Sequence, residues 1–145
     1  MGAVVSIRAA LETAINAISP AIATGFENSD FTPPEITVSA SVTELQAAYQ
    51  MVHILFAEPS NATYGAAHQA LGYAQIRLMY PPQRGTAAIN ARAELIRSTF
   101  YRGASFTDGG YTVIISRTPE IMPGQNEDGR FAQIVKIPFQ CTVNS

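Results

Sequence analysis

Two periodicities divide the chain. In "SIRAALETAINAIS", residues 6–19, Ile7, Leu11, Ile15 and Ile18 recur at helical spacing, and Ala10 and Ala14 fill the same stripe. Arg8, Glu12, Thr13 and Asn16 fall elsewhere around the axis, so the segment predicts an amphipathic helix ending before Pro20. "ATGFENSDFTPPE", 23–35, predicts a short extended piece and then a turn, because Pro33 and Pro34 cannot lie inside a helix. "ITVSASVTELQAA", 36–48, stays ambiguous: its first half alternates like a strand, and "VTELQAA" fits a helical turn or two.

From Tyr49 to Ala57 the pattern is that of a strand. A turn-rich connection, "EPSNATYGAAHQA", leads to a second strand, "LGYAQIRLMY", 71–80, stopped by Pro81 and Pro82. Together they predict an extended hairpin. "GTAAINARAELIRSTF", 85–100, returns to helical spacing, with Thr86 at the N-cap and Ile89, Ala93, Ile96 and Phe100 as the buried stripe. Arg92 and Arg97 are read as lying off that stripe, towards solvent or a neighbour. "YTVIISRTPE", 111–120, predicts a strand and "IMPGQNEDG", 121–129, a turn-rich loop. "RFAQIVKIPFQCTV", 130–143, predicts the last strand, with Pro138 pointing to an edge or a bulge.

Helix, short strand, hairpin, helix and two strands, joined by short connections, predict an α+β fold. The strands should form one mostly antiparallel sheet with two helices packed on it, a two-layer sandwich spanning residues 1–145 as a single domain. A chain of 145 residues is long enough to bury a core of its own. No internal repeat or linker interrupts it.

Composition narrows the function. Charged residues make up 14% of the chain, against roughly 25% in an ordinary domain, so the surface is lightly charged and suits burial against partners. The net charge of −2 argues against general nucleic-acid binding, which needs a basic face. Lys136 is the only lysine, which excludes a polybasic membrane patch. No apolar run approaches the roughly 20 residues of a membrane span, and the N-terminus reads as a helix rather than a signal peptide. The chain is expected to be soluble, made in a reducing compartment, with its single cysteine, Cys141, serving as a small buried hydrophobe.

Candidate chemistry is sparse. His53 and His68 lie fifteen positions apart with no metal-ligand spacing, so no metal site is expected. There is no GxSxG, and Cys141 has no base nearby in sequence. "PPQRGTAAIN" lacks the GK[ST] of a phosphate-binding loop. Glu27 with Asp30, and Glu127 with Asp128, fall in turns, where such residues satisfy backbone groups. "FENSDFTPP", 26–34, therefore reads as a strand end running into a turn, with Glu27, Asn28 and Asp30 either satisfying backbone donors or meeting a neighbouring subunit. No catalytic residue and no cofactor is expected.

Five segments in this order resemble one family over about residues 7–142: "FENSDFTPP", "YQMVHILFAEPSNATYG", "GYAQIRLMYPPQRGTAAINARAELIRSTF", "GYTVIISRTPEI" and "IVKIPFQ". The family is that of tail terminator-like, or tail completion, proteins of tailed phages. Its most specific markers here are "FENSDFTPP", "AEPSNATYG" and "ARAELIRSTF…RG"; none is catalytic. Residues 36–47 are longer than the usual link at that point.

The resemblance implies a structural virion protein made in the host cytoplasm and placed at the head-proximal end of the tail. It implies a homo-oligomeric ring, in the family a hexamer, that caps the tail tube, ends its polymerisation and offers a surface for head–tail joining. Its partners would be further copies of itself, the tail tube protein and a neck or head-completion connector, with DNA only passing through the lumen. A role as that neck or head-completion connector is the competing reading, and a small enzyme or ligand-binding domain is a third. Loops are natural carriers of axial contacts, which singles out Glu58, Asn61, Tyr64 and His68 in 58–69 and Met122, Gln125, Asn126 and Arg130 in 120–130. Arg92 and Arg97 complete the interface candidates as partners for a neighbour's carboxylates. For each of these residues an ordinary solvated surface is the alternative.

Overall fold

The computed structural model describes residues 2–61 and 64–144. Helix α1 (Ala3–Asn16) opens the chain and buries Ile7, Ala10, Leu11 and Ile15, the stripe that the spacing predicts. Strand β1 (Ala23–Phe26) follows and pairs in parallel with β2 (Tyr49–Phe56). Parallel neighbours need a connection long enough to carry the chain back to the same end. Residues 27–48 are that connection, which explains why their alternating first half is not a strand.

The connection ends in a short helix, α2 (Glu44–Ala47), fixed by a reciprocal cap. Thr43 Oγ1 accepts from Gln46 N–H at 3.2 Å, and Gln46 Oε1 accepts from Thr43 N–H at 2.9 Å. The Thr-x-x-Gln spacing is the sequence signal for this box, and it decides the ambiguity of 36–48 in favour of "VTELQAA" as helix.

Strand β2 and strand β3 (His68–Tyr80) form the expected hairpin, and β3 begins three residues earlier than its pattern suggests. "AEPSNATYG" lies in the connection, where Ala62 and Thr63 fall outside the described residues. Helix α3 (Ala87–Thr99) buries Ile89, Ala93 and Ile96, with Phe100 just beyond it. Thr86 occupies the N-cap, but its hydroxyl makes no capping hydrogen bond.

The remainder holds more strand than its pattern suggests. Strand β4 (Ser105–Asp108) turns through Gly109 and Gly110, both at positive φ, into β5 (Tyr111–Ile115). The expected strand 111–120 is broken after Ile115, strand β6 (Glu120–Ile121) straddles its end, and β7 (Gln125–Glu127) lies in the expected loop 121–129. β7 turns through Asp128 and Gly129, again both at positive φ, into β8 (Arg130–Val143). Asp-Gly and Gly-Gly are the pairs that two-residue hairpin turns favour.

Among the described residues, eight strands make one sheet in the order β1-β2-β3-β8-β5-β4, with β6 and β7 also paired to β8. Every pair is antiparallel except β1–β2, so the sheet is mixed. The pairing is thus mostly antiparallel, and the sheet curls in the manner of a half-barrel where a two-layer sandwich was expected; the α+β class stands. Its spine is the ladder of β3 with β8, from His68↔Val143 to Tyr80↔Phe131. Alternate residues Val135, Ile137, Phe139, Cys141 and Val143 of β8 enter the core beneath α1 and α3.

Pro138 lies in the middle of this central strand, not on an edge. Ser116 N–H donates to Pro138 O at 3.2 Å, so the carbonyl points to the β5/β6 side of β8. In a strand, a residue's N and O point the same way, and on that side the ladder is interrupted between Ile115 and Glu120. Pro138 stands opposite Ser116, one step beyond Ile115↔Phe139, where an antiparallel pair would exchange two bonds; without an N–H it takes part in only the one from Ser116, and the β5 ladder ends there.

Candidate interaction surfaces

Glu27, the first residue after β1, answers the question that "FENSDFTPP" raises. Its Oε1 accepts from Ile54 N–H at 2.6 Å and from Arg8 Nη1 at 2.9 Å. Arg8 Nη2 donates to Ile54 O at 3.1 Å, and the guanidinium stacks 5.7 Å from the Phe56 ring centre. One carboxylate thus ties α1 to β2 just beyond the end of β1. Asn28, at φ 54°, makes the turn, and Phe31 packs against Tyr49 with centroids 5.4 Å apart. The cluster is a clamp and a turn.

Burial pushes the Glu27 carboxyl up, but the hydrogen bonds from Arg8 and Ile54 and the charges of Arg8 and His53 outweigh it, leaving it below its ordinary value of 4.5. A lowered carboxylate contributes stability that is present above the unfolded-state value and lost as pH falls through the folded one. Glu27→Gln is therefore expected to lower stability by about 0.5–1 kcal/mol near neutral pH, since the ion pair is partly solvated. The difference between variant and wild type should vanish well below pH 4.5. Thermal melts of both proteins across that range check it; a difference unchanged by pH would rule out the ionised clamp.

Two of the expected interface arginines turn inward. Arg92 is only 4% exposed, a correction to its expected outward position. Three residues after Ile89 and four before Ile96, it falls on the buried stripe of α3 by spacing, against its polarity. It donates to Pro20 O and, at 3.5 Å, to Gln50 Oε1, while Gln50 Nε2 donates to Thr24 Oγ1 at 3.0 Å. Burial lowers its pKa, and Tyr80 partly opposes that shift. Arg130, also 4% exposed, donates to Ala47 O at 2.6 Å and to Pro34 O, with its guanidinium 4.7 Å from the Tyr49 ring centre. It pins the long 27–48 connection to the sheet rather than standing out from the loop. Arg97 is exposed, and its Nε donates to Pro119 O at 3.1 Å.

The remaining candidates fall into two groups. Glu58 and Asn61 are exposed, Tyr64 is fully exposed, and His68 starts β3 half-buried with Nδ1 3.2 Å from Ala66 O. Met122 is half-buried, its N–H donating to Ile134 O at 2.9 Å, and Gln125 and Asn126 stand exposed on β7. The first group joins β3 where it pairs with Val143; the second lies by β8 where it pairs with Tyr80. A strand of 13 residues separates them, roughly 40 Å at the rise of an antiparallel strand. The two loop groups therefore occupy opposite ends of the sheet.

A profile of the family described as phage tail terminator protein matches residues 6–139 of the chain. The chain belongs to this family. Membership makes this terminator-family chain a structural protein of the phage tail. One solved structure superposes with a TM-score of 0.74, covering 96% of this chain and 95% of that one at 19% identity, which shows a shared fold. No curated protein matches the sequence.

Sequence reasoning missed two other contacts of the terminator-family fold. Arg77 pairs with Glu127 across β3 and β7, and Lys136 Nζ sits 4.2 Å from the Tyr73 ring centre. Neither has a local signal, since each joins residues that only the strand register brings together. No group of three or more His, Cys, Asp or Glu side chains able to hold a metal is found among the described residues.

Proposed function

We propose that this chain assembles into a ring, in six copies, that caps the head-proximal end of the tail tube, stops its growth and presents a different surface for head–tail joining. The family match over residues 6–139 carries this reading. The placement of the two loop groups at opposite ends of the sheet supports it, because a capping ring needs one surface towards the tube and another towards the neck. One group would meet the tube protein, the other a neck or head-completion connector, with DNA passing through the lumen. A cyclic ring closes through heterologous contacts between two different patches on each copy.

The test is a null allele of the gene in its phage, followed by electron microscopy of the tails that accumulate. Tails of abnormal, uncontrolled length are expected. Tails of normal length on particles that fail to join heads would move the chain to the neck, and its density at the distal tip of complete virions would overturn the proposal.

A further inference from the structure

A cavity of ≈ 300 Å³ lies between α2, α3 and the C-terminal end of β3. Its walls include Leu45, Ala91 and Leu95, and Arg92, Tyr80 and Glu44 also line it. Arg92 is the unusual one. Two of its nitrogens donate to neutral oxygens, of Pro20 and Gln50, while its Nε is buried with no hydrogen-bond partner. Among the described residues no carboxylate lies within ion-pair distance of it. Glu44 stands in the same cavity wall yet makes no pair with it.

A buried guanidinium with a spare donor and no anion is costly to keep, and a carboxylate is its complement. Apolar walls beside it suit a short aliphatic stem rather than a strongly hydrated ion. We propose that this pocket binds a carboxylate carried on a short aliphatic stem, with the Arg92 guanidinium as its anchor and Leu45, Ala91 and Leu95 around the stem. That chemistry belongs equally to a small branched-chain acid and to a glutamate side chain of a second copy. The Glu44 carboxylate, as a like charge in the wall, opposes the ligand. The inference is independent of where the chain sits in a tail.

The experiment is a titration of isotope-labelled protein with isovalerate, followed through backbone amide shifts, with isovaleramide as the uncharged match in shape. Saturable shifts centred on Leu45, Ala91 and Leu95 are expected with the acid and not with the amide. Glu44→Gln should tighten isovalerate binding several-fold by removing the like charge. Ala91→Leu, at an exposed helix position, should abolish binding by filling the wall while leaving the fold and Arg92 in place. A dilution series of the unliganded protein separates the two sources. Pocket amides that move with protein concentration, and that isovalerate returns to their dilute positions, identify a second copy's carboxylate; concentration-independent amides identify a free acid. Equal shifts with the amide, non-saturating shifts with the acid, or loss of binding in Glu44→Gln would each overturn the proposal.

Discussion

Gly72→Ala should destabilise the protein by about 3 kcal/mol, the upper end of what overpacking costs. A methyl group added there would lie 2.2 Å from Leu55 O and 3.0 Å from Phe139 Cζ. The first neighbour is backbone in the adjacent strand and cannot rotate away. The second is a buried ring in the centre of β8, packed edge-on against Phe56 at 5.7 Å. Relief therefore requires β2 and β3 to separate at Phe56↔Gly72, the end of their ladder, or the core beneath to shift. In a chain of this length the loss corresponds to a fall of roughly 6–12 °C in Tm. Thermal unfolding of the variant checks it, with Gly2→Ala as control because a methyl there meets nothing within 4 Å. A Tm within a degree or two of wild type would show that the strands do not approach as closely as described.

Removing the Arg130 guanidinium should act locally as well as globally. Arg130→Met keeps much of the stem but leaves Ala47 O and Pro34 O without their donor. Orphaned acceptors cost about 1–3 kcal/mol each, partly recovered where water reaches them, so a loss of about 2–4 kcal/mol is expected. The more specific outcome is spatial. Amide hydrogen exchange should accelerate over residues 34–48, the connection that Arg130 pins, while the β3–β8 ladder keeps its protection against local opening. Arg130→Lys should restore only part of the effect, because one ammonium cannot serve both carbonyls and the Tyr49 face with a planar fork. Uniform acceleration across the sheet would instead mean that Arg130 holds the core and not the connection.

These two residues also show what the sequence does and does not carry. Ile7, Leu11 and Ile15 on α1, and Ile89, Ala93 and Ile96 on α3, announce their burial through spacing alone, because a helix repeats its environment within a few residues. The hairpin of β2 and β3 is legible for the same reason. Arg92 shows the limit of polarity as a guide: its spacing was on the stripe, and its partner Pro20 O is 72 residues away. Arg130 and Pro34 are separated by 96 residues, so nothing near either one signals the contact. Pro138 misleads for a related reason, since whether a missing N–H matters depends on which side of the strand has a neighbour. The turns at Gly109–Gly110 and Asp128–Gly129 did carry a local signal, and each flanks a strand that the apolar pattern alone hides. At the surface, Tyr64 and the β7 residues are placed by the fold, and spacing alone could not show that their groups stand at opposite ends of one ladder.

Helix α1 lies against β4 and β5 near one margin of the sheet, and through Arg8 it grips Glu27 and Ile54 near the other. A curled sheet held by one rod at both margins cannot open or tighten without moving that rod. Its bend is therefore set within each molecule, before any neighbour arrives. Whatever docks on this sheet therefore meets a surface whose curvature is already fixed, and the fitting is left to the other side of the contact.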